Sequence, residues 1–301
     1  MNKFITNILP RTPRASLRYS RDYLIALLPS FVFLAIFVSA KMLLGALLTL
    51  GIALVCELVL CIFLKKEFDL TLIARALLTS LFIPSSAGVG IYLWGGFAVF
   101  IFSEIKMFLG RYLTLESVTF SVIVLNLIHP FVTPASTVID NSPIWNVSVL
   151  DLVLGTKAEL FGGMSIICLL FAYLFLAFKK RINFLGGALF YASLILVIGF
   201  LYSNDSPSAL YYVSFVALDP KIFFASLLLV TLGAITPAHK NAGAVVSVIA
   251  GAISGYLILT LGNADVVLYV LAFFSLISRP IDLLICKITS SSKSKKSASK
   301  T

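Results

Sequence analysis

Five ionisable residues sit where an apolar chain can least accommodate them: Glu57, Arg75, Glu104, Arg279 and Asp282. A charged side chain within hydrocarbon costs several kcal/mol, so each is expected to pair, to line an ion path or to reach an interface. Arg279 and Asp282 are three apart on one helical face and can neutralise each other as a structural pair. Glu57 has no partner in its own apolar stretch, so it either faces a bundle interior or stays protonated. Arg75 either faces a phosphate or an ion path, or snorkels to the membrane edge. Glu104 closes the inner end of its stretch. A different chemistry is offered by the polar loop Phe131–Asp140, the place in the chain where a covalent cofactor attachment can be argued. His129 and His239 have no second ligand at metal spacing, and no metal site is expected. Nor is there a nucleophile elbow, a phosphate-cradling glycine loop or a paired-carboxylate hydrolase signature.

The elements that must position these groups follow from composition. Of 301 residues, 60% are apolar and 12% charged, and the mean hydropathy is +1.05. A soluble domain carries roughly 25% charge, so the chain reads as an all-α polytopic membrane protein. Crossing the hydrocarbon takes about 20 residues per helix. Spans read at 22–39, 42–64, 70–83, 89–105, 117–130, 160–178, 182–202, 221–236, 243–261 and 265–286, which makes about ten. No cleavage pattern follows the first, which is expected to stay.

The formal net charge of +10 does not point to nucleic acid, because the basic residues cluster at span ends. Lys3, Arg11, Arg14, Arg18 and Arg21 precede the first span, and Lys287, Lys293, Lys295, Lys296 and Lys300 follow the last. Both termini are therefore expected in the cytoplasm. Lys65, Lys66, Lys106, Arg111, Lys179, Lys180, Arg181 and Lys240 then fall on the same side, against Lys41, Lys157 and Lys221 outside. Cys56, Cys61, Cys168 and Cys286 lack metal or iron–sulfur spacing and read as packing residues.

Cutting the chain after the fifth span leaves five crossings on each side, the arithmetic of an inverted repeat. In each half the third span is short and broken by proline, at Pro84 and at Pro237. Broken backbone is tolerated at membrane depth only where protein or a cavity encloses it, so the paired breaks point to a binding or conduction path. The expected organisation is a basic cytoplasmic N-terminus at 1–21, a first five-helix repeat at 22–130 and an outer, periplasmic loop at 131–159. A second repeat at 160–286 and a disordered basic tail at 287–301 complete it. A short surface helix fits within 203–220.

The run Arg75–Pro84, then Gly95-Gly-Phe-Ala-Val-Phe-Ile-Phe-Ser-Glu-Ile-Lys106 with Gly110, resembles the RnfD/NqrB family, the membrane component shared by Rnf complexes and sodium-pumping Nqr complexes. Gly155-Thr-Lys-Ala-Glu159, the basic turn Lys179-Lys-Arg-Ile-Asn183, Thr236–Gly243 and Arg279-Pro-Ile-Asp282 are similar to further family elements, in the same order. The resemblance spans about 20 to 286. It implies FMN held through a phosphoester on an outer-loop threonine, attached by a flavin transferase. Thr137 is the matching position, with Ser136 before it and Asp140 three residues after it. Phe131 and Pro134 stand where the family has an Asp and a Ser or Thr, and Glu116-Ser117-Val118 replaces its Asn-Pro-Ala turn. The resemblance further implies electron transfer coupled to Na⁺ or H⁺ movement, partner subunits of an ion-translocating oxidoreductase, and a bacterial inner membrane. A stand-alone channel or transporter for a small solute, with the flavin site lost, is the second expectation. A scaffold that only holds catalytic partners is the third.

Overall fold

A computed structural model describes residues 13–37, 40–84, 87–109, 115–128, 153, 165–202, 209–230 and 240–298. The first half comprises α1 (Pro13–Phe37), α2 (Ala40–Leu64), α3 (Thr71–Phe82), α4 (Val89–Leu109) and α5 (Ser117–Ile128). The second comprises α6 (Ile166–Phe178), α7 (Phe184–Tyr202), α8 (Ala209–Ala217), α9 (Pro220–Phe224) running into a π-helical turn at Ala225–Leu229, α10 (Lys240–Leu261) and α11 (Val266–Ala298). Among the described residues, five segments are long and apolar enough to cross a membrane: Leu17–Phe37, Ala40–Leu64, Phe184–Tyr202, Asn241–Leu261 and Val266–Ile285. Thr71–Phe82, Val89–Ile105, Ser117–Ile128, Ile166–Phe178 and Pro220–Leu229 are shorter apolar helices. Phe63, Phe178 and Phe200 stand more than three-quarters exposed, as side chains facing lipid tails would.

Two ends differ from expectation. Helix α1 starts at Pro13, ahead of the apolar stretch, because proline's fixed φ suits a first helical turn. Helix α11 continues to Ala298 through the Ser/Lys segment expected to be disordered. Extending a nucleated helix costs far less than starting one, so an unfavourable composition can still be carried along.

Small residues let the long helices approach. On α10, Ser247, Gly251 and Gly255 recur every four residues and face α7. A Cβ on Gly255 would lie 2.7 Å from the Leu194 carbonyl oxygen, and one on Gly251 would overlap the Phe190 carbonyl. Between α2 and α4 the same device uses Gly45 under the Tyr92 ring and Gly96 against Thr49 and Ile52. The Thr49 hydroxyl donates to the Tyr92 carbonyl at 3.0 Å and ties the two backbones together. Without water to drive association, such close backbone packing is what joins helices in a bilayer.

Several pairings recur in the two halves. In the first half α2 packs on α3 and α4, α4 on α5, and α3 on α1 and α5. In the second α7 packs on the π turn and α10, α10 on α11, and α9 with its π turn on α6 and α11. The halves meet through α1 on α6 and α5 on α11. Helix starts repeat at nearly constant separation: Thr71 to Pro220 and Ser117 to Val266 (220 − 71 = 266 − 117 = 149), and Val89 to Lys240 (240 − 89 = 151).

Side-chain contacts set the direction of each half. The Ser20 hydroxyl donates to the Leu70 carbonyl, and Arg181 Nε donates to Asp22 Oδ2 at 2.8 Å. The start of α1, the end of α2 and the start of α7 therefore share one face. Exposed Arg21, Lys65, Lys179 and Lys180 lie there too. Contacts between α7 and α10 run Phe190 to Gly251 and Leu194 to Gly255, so the two are parallel. Helices α2 and α4, touching at Gly45 to Tyr92 and Ile52 to Gly96, are also parallel. Helices α2 and α4 therefore end on the face where α7 begins. Lys180 ends α6 at φ 56°, with the Arg181 and Lys180 amides closing on the Leu176 and Ala177 carbonyls, a Schellman motif that turns the chain back.

The short helices meet end to end. Phe82, the last residue of α3, packs edge-on against Phe224, with ring centroids 4.7 Å apart. Ile83 follows in extended conformation before Pro84. The second break expected, Pro237, lies outside the described residues.

Replacing Gly251 by Leu should lower the unfolding midpoint in detergent, with an overpacking cost of about 1–3 kcal/mol. Gly199→Leu, at a position with nothing within 4 Å, should stay near wild type. Equal midpoints for the two variants would contradict the helix contact described.

Candidate functional site

Glu57 belongs to the stripe Gly45, Thr49, Ala53 and Glu57, four residues apart on the face that α2 buries. The packing of α2 on α4 therefore carries its carboxylate inside, at 1% exposure. Of the alternatives open from sequence, it faces the bundle interior. Its partner comes from the connection beyond α2. Lys66 Nζ lies 3.2 Å from Glu57 Oε1 and 2.5 Å from Glu104 Oε1. The Asp69 amide adds a 3.0 Å bond to Glu57. One ammonium thus clamps the carboxylates of α2 and α4, which would otherwise repel. Burial pulls the Lys66 ammonium downward in pKa, but the Glu104 hydrogen bond and the Glu57 charge outweigh it and raise it.

Asp69 opens the first short helix. Its Oδ1 accepts from the Thr71 amide at 2.9 Å and the Thr71 hydroxyl at 2.7 Å, satisfying groups that α3 leaves unpaired at its start. Its Oδ2 meets Arg75 Nη1 at 3.4 Å. Arg75 is thus held, largely buried, by the acid two residues ahead of its short helix. Burial pushes the Asp69 carboxyl up, yet the Arg75 guanidinium and the Thr71 hydrogen bonds prevail and hold it below its ordinary value. Tyr19 of α1 lies within electrostatic reach of Arg75, Glu116 and Asp69. Glu116 caps α5, accepting from the Thr119 amide at 2.6 Å and hydroxyl at 2.7 Å.

The opposite face repeats this layout with different residues. Asp219 opens α9, its Oδ1 accepting from the Lys221 amide at 2.7 Å and the Ile222 amide at 3.2 Å. Lys221 Nζ, on the short helix, lies 3.6 Å from Asp265 Oδ1 in the turn before α11. Asp265 immediately precedes α11 as Glu116 immediately precedes α5. Burial raises the Asp219 carboxyl to about 6 against the pull of its amide bonds and Lys221. It raises Asp265 as well. Tyr191 stands beside this cluster, its hydroxyl donating to the Ala217 carbonyl at 2.5 Å.

Of the residues singled out from sequence, the structure brings Glu57 and Glu104 together through Lys66, and places Arg75 next to them through Asp69. Arg279 and Asp282 are half-buried one turn apart on α11, and Arg279 Nε is buried without a hydrogen-bond partner among the described residues. Ser136, Thr137, Asp140 and Glu159 lie outside the described residues. No group of three or more His, Cys, Asp or Glu side chains that could hold a metal occurs among the described residues. Sequence reasoning missed Lys66, Asp69, Glu116, Asp219, Lys221 and Asp265 as site residues, treating them as loop charges or leaving them aside. The available signal was an acid just before an apolar run, as in Asp69-Leu-Thr71 and Asp219-Pro-Lys221, which marks a helix start. Compared with protein-family models and with curated proteins, the chain matches none.

Lys66→Met should destabilise the protein by about 3 kcal/mol, because it strands the buried Glu57 carboxylate. The double variant Glu57→Gln/Lys66→Met should recover most of that loss; thermal unfolding in detergent compares the two, and an equal deficit in both would rule out the clamp. For Asp219 the folded value of about 6 lies above the ordinary 3.8. The folded state then binds the proton more tightly, so the contribution is full below about pH 4 and lost as pH rises through 6. Relative to Asp219→Asn, wild-type stability should fall by roughly 2–3 kcal/mol over that window. A flat difference would show that Asp219 does not titrate there.

Proposed function

We propose that this chain is the membrane subunit of an Rnf/Nqr-type ion-translocating electron-transport complex. Its ten spans form two inverted five-helix repeats, with both termini on the cytoplasmic side of a bacterial inner membrane. FMN is attached at Thr137 by a flavin transferase, with Ser136, Asp140 and Glu159 nearby, and electron flow through the complex drives Na⁺ or H⁺ across the bilayer. The observation that supports the reading is the similar helix pairing of the two halves, with the starts of α3, α4 and α5 recurring 149–151 residues later at α9, α10 and α11. Such a repeat places its working site at the midplane, between the two interrupted helices. The exposed basic residues gathered on the face where α2 ends support the orientation.

Within this reading the protein's own part is to enclose an ion route and to position a redox group at its outer edge. A flavin supplies reversible electron acceptance, and the loop need contribute only a hydroxyl and an orientation. Arg75 and Lys221, each on a short helix and each facing an acid, lie along the route. The second reading, a channel or transporter for a small solute, draws on the same charged starts of α3 and α9 and needs no flavin.

Denaturing gel electrophoresis under ultraviolet light separates the two. When the chain is produced together with the transferase, a fluorescent band at 32.7 kDa is expected, and Thr137→Ala should abolish it. A dark wild-type band sinks the covalent assignment, and solute uptake by the purified chain in liposomes would favour the transporter.

A further inference from the structure

Two kinds of ion pair occur in the bundle. Lys66 makes contacts of 2.5 and 3.2 Å to carboxylates on two long helices, the geometry of a clamp. Arg75 and Lys221 each make one loose contact, at 3.4 and 3.6 Å, through a single nitrogen. Both are carried by short helices, both are largely buried, and they stand at opposite faces. Arg75 uses none of the two-pronged geometry that makes a guanidinium–carboxylate bond strong.

What lies between them is also unusual. Helix α3 gives way to extended chain at Ile83, and α9 passes into the π turn at Ala225–Leu229. A π turn is a rare departure that tends to mark functional positions. Inside it the Ser226 hydroxyl is completely buried and has no hydrogen-bond partner among the described residues. An unsatisfied hydroxyl at that depth is costly unless something polar reaches it during use.

We propose that Arg75–Asp69 and Lys221–Asp265 are the two gates of a single monovalent-cation route that passes Ser226, one gate closing each face. The inference rests on the ion-route reading above. A closed gate leaves a fixed positive charge on the short helix, which repels a cation. An arriving cation replaces the guanidinium or ammonium as partner of the carboxylate, and the side chain swings aside. Asp69 stays in place throughout, because its bonds to the Thr71 amide and hydroxyl hold it at the start of α3, while Asp265 is fixed by its place in the turn that opens α11. Opening both gates together would leak ions, and the inverted arrangement lets them open one at a time.

The test is cysteine accessibility in the full-length chain, reconstituted in liposomes with its native cysteines replaced. Ser226→Cys reports entry of a membrane-impermeant thiol reagent applied to either side. Gates are removed as neutral pairs, Asp69→Asn/Arg75→Gln and Lys221→Gln/Asp265→Asn, so that no buried charge is stranded and the asparagine introduced ahead of α3 can still cap it. Each pair should speed labelling about tenfold from its own face only, the shift that roughly 1.4 kcal/mol of lost closed-state bias gives. The exchanged pair Lys221→Asp/Asp265→Lys should label at the parent rate. Unchanged labelling in neutral variants whose unfolding midpoint matches the parent, or acceleration from the same face by both, overturns the proposal. Labelling requires no electron transfer, so a failed flavin assignment and a failed gate assignment are told apart.

Discussion

A helix that begins inside an apolar bundle exposes amide groups that hydrocarbon cannot satisfy, and each unsatisfied group there costs several kcal/mol. Much of the polar architecture of this protein answers that constraint. Asp69, Glu116 and Asp219 each supply a carboxylate to the start of a helix. A carboxylate brought inside to solve one problem creates another, because it must itself be balanced. Arg75 faces Asp69, and Lys221 lies between Asp219 and Asp265 in sequence and pairs with the latter. The charged clusters at the two faces are therefore consequences of having short helices at all.

Enclosure of those short helices depends on the long ones approaching closely. Gly96 against Thr49 and Gly251 against Phe190 bring backbones together where any side chain would hold them apart. Such packing gives no protection at helix ends, where like charges accumulate. Lys66 supplies it on one face, holding Glu57 of α2 and Glu104 of α4 with one ammonium. The tight clamp and the looser pairs use the same chemistry for different purposes, and their geometry separates them. Lys66 makes two contacts that join long helices, whereas Arg75 and Lys221 each make one longer contact from a short helix.

Comparable polar groups occur at helix starts in the second half, with other residues. Asp265 stands 149 residues after Glu116, the basic residue of the short helix is Arg75 in one half and Lys221 at a different helical position in the other, and small residues line α2 and α4 in one half and α10 in the other. What persists is a capped short helix, a basic side chain on it and an acid at the start of the fifth helix. Backbone satisfaction and charge balance account for these groups in both halves.

Much of this was legible in the residues themselves. Apolar runs long enough to cross hydrocarbon, the basic residues at their ends and the short third runs all follow from composition and spacing, because lipid imposes the same length and polarity on every crossing. The buried position of Glu57 was one of two open alternatives, since a four-residue stripe names a face without saying what covers it. Lys66, Lys221 and Asp265 could not be found that way, because their partners lie 9, 38 and 44 residues distant, across connections whose path is set only when helices pack. The sequence alone determined that charges would have to be neutralised inside this bundle. Tertiary structure alone decided which charges meet, because an ion pair needs a separation of a few ångströms, and the packing of α2 on α4 and of the α9–π-turn segment on α11 brings those groups within reach.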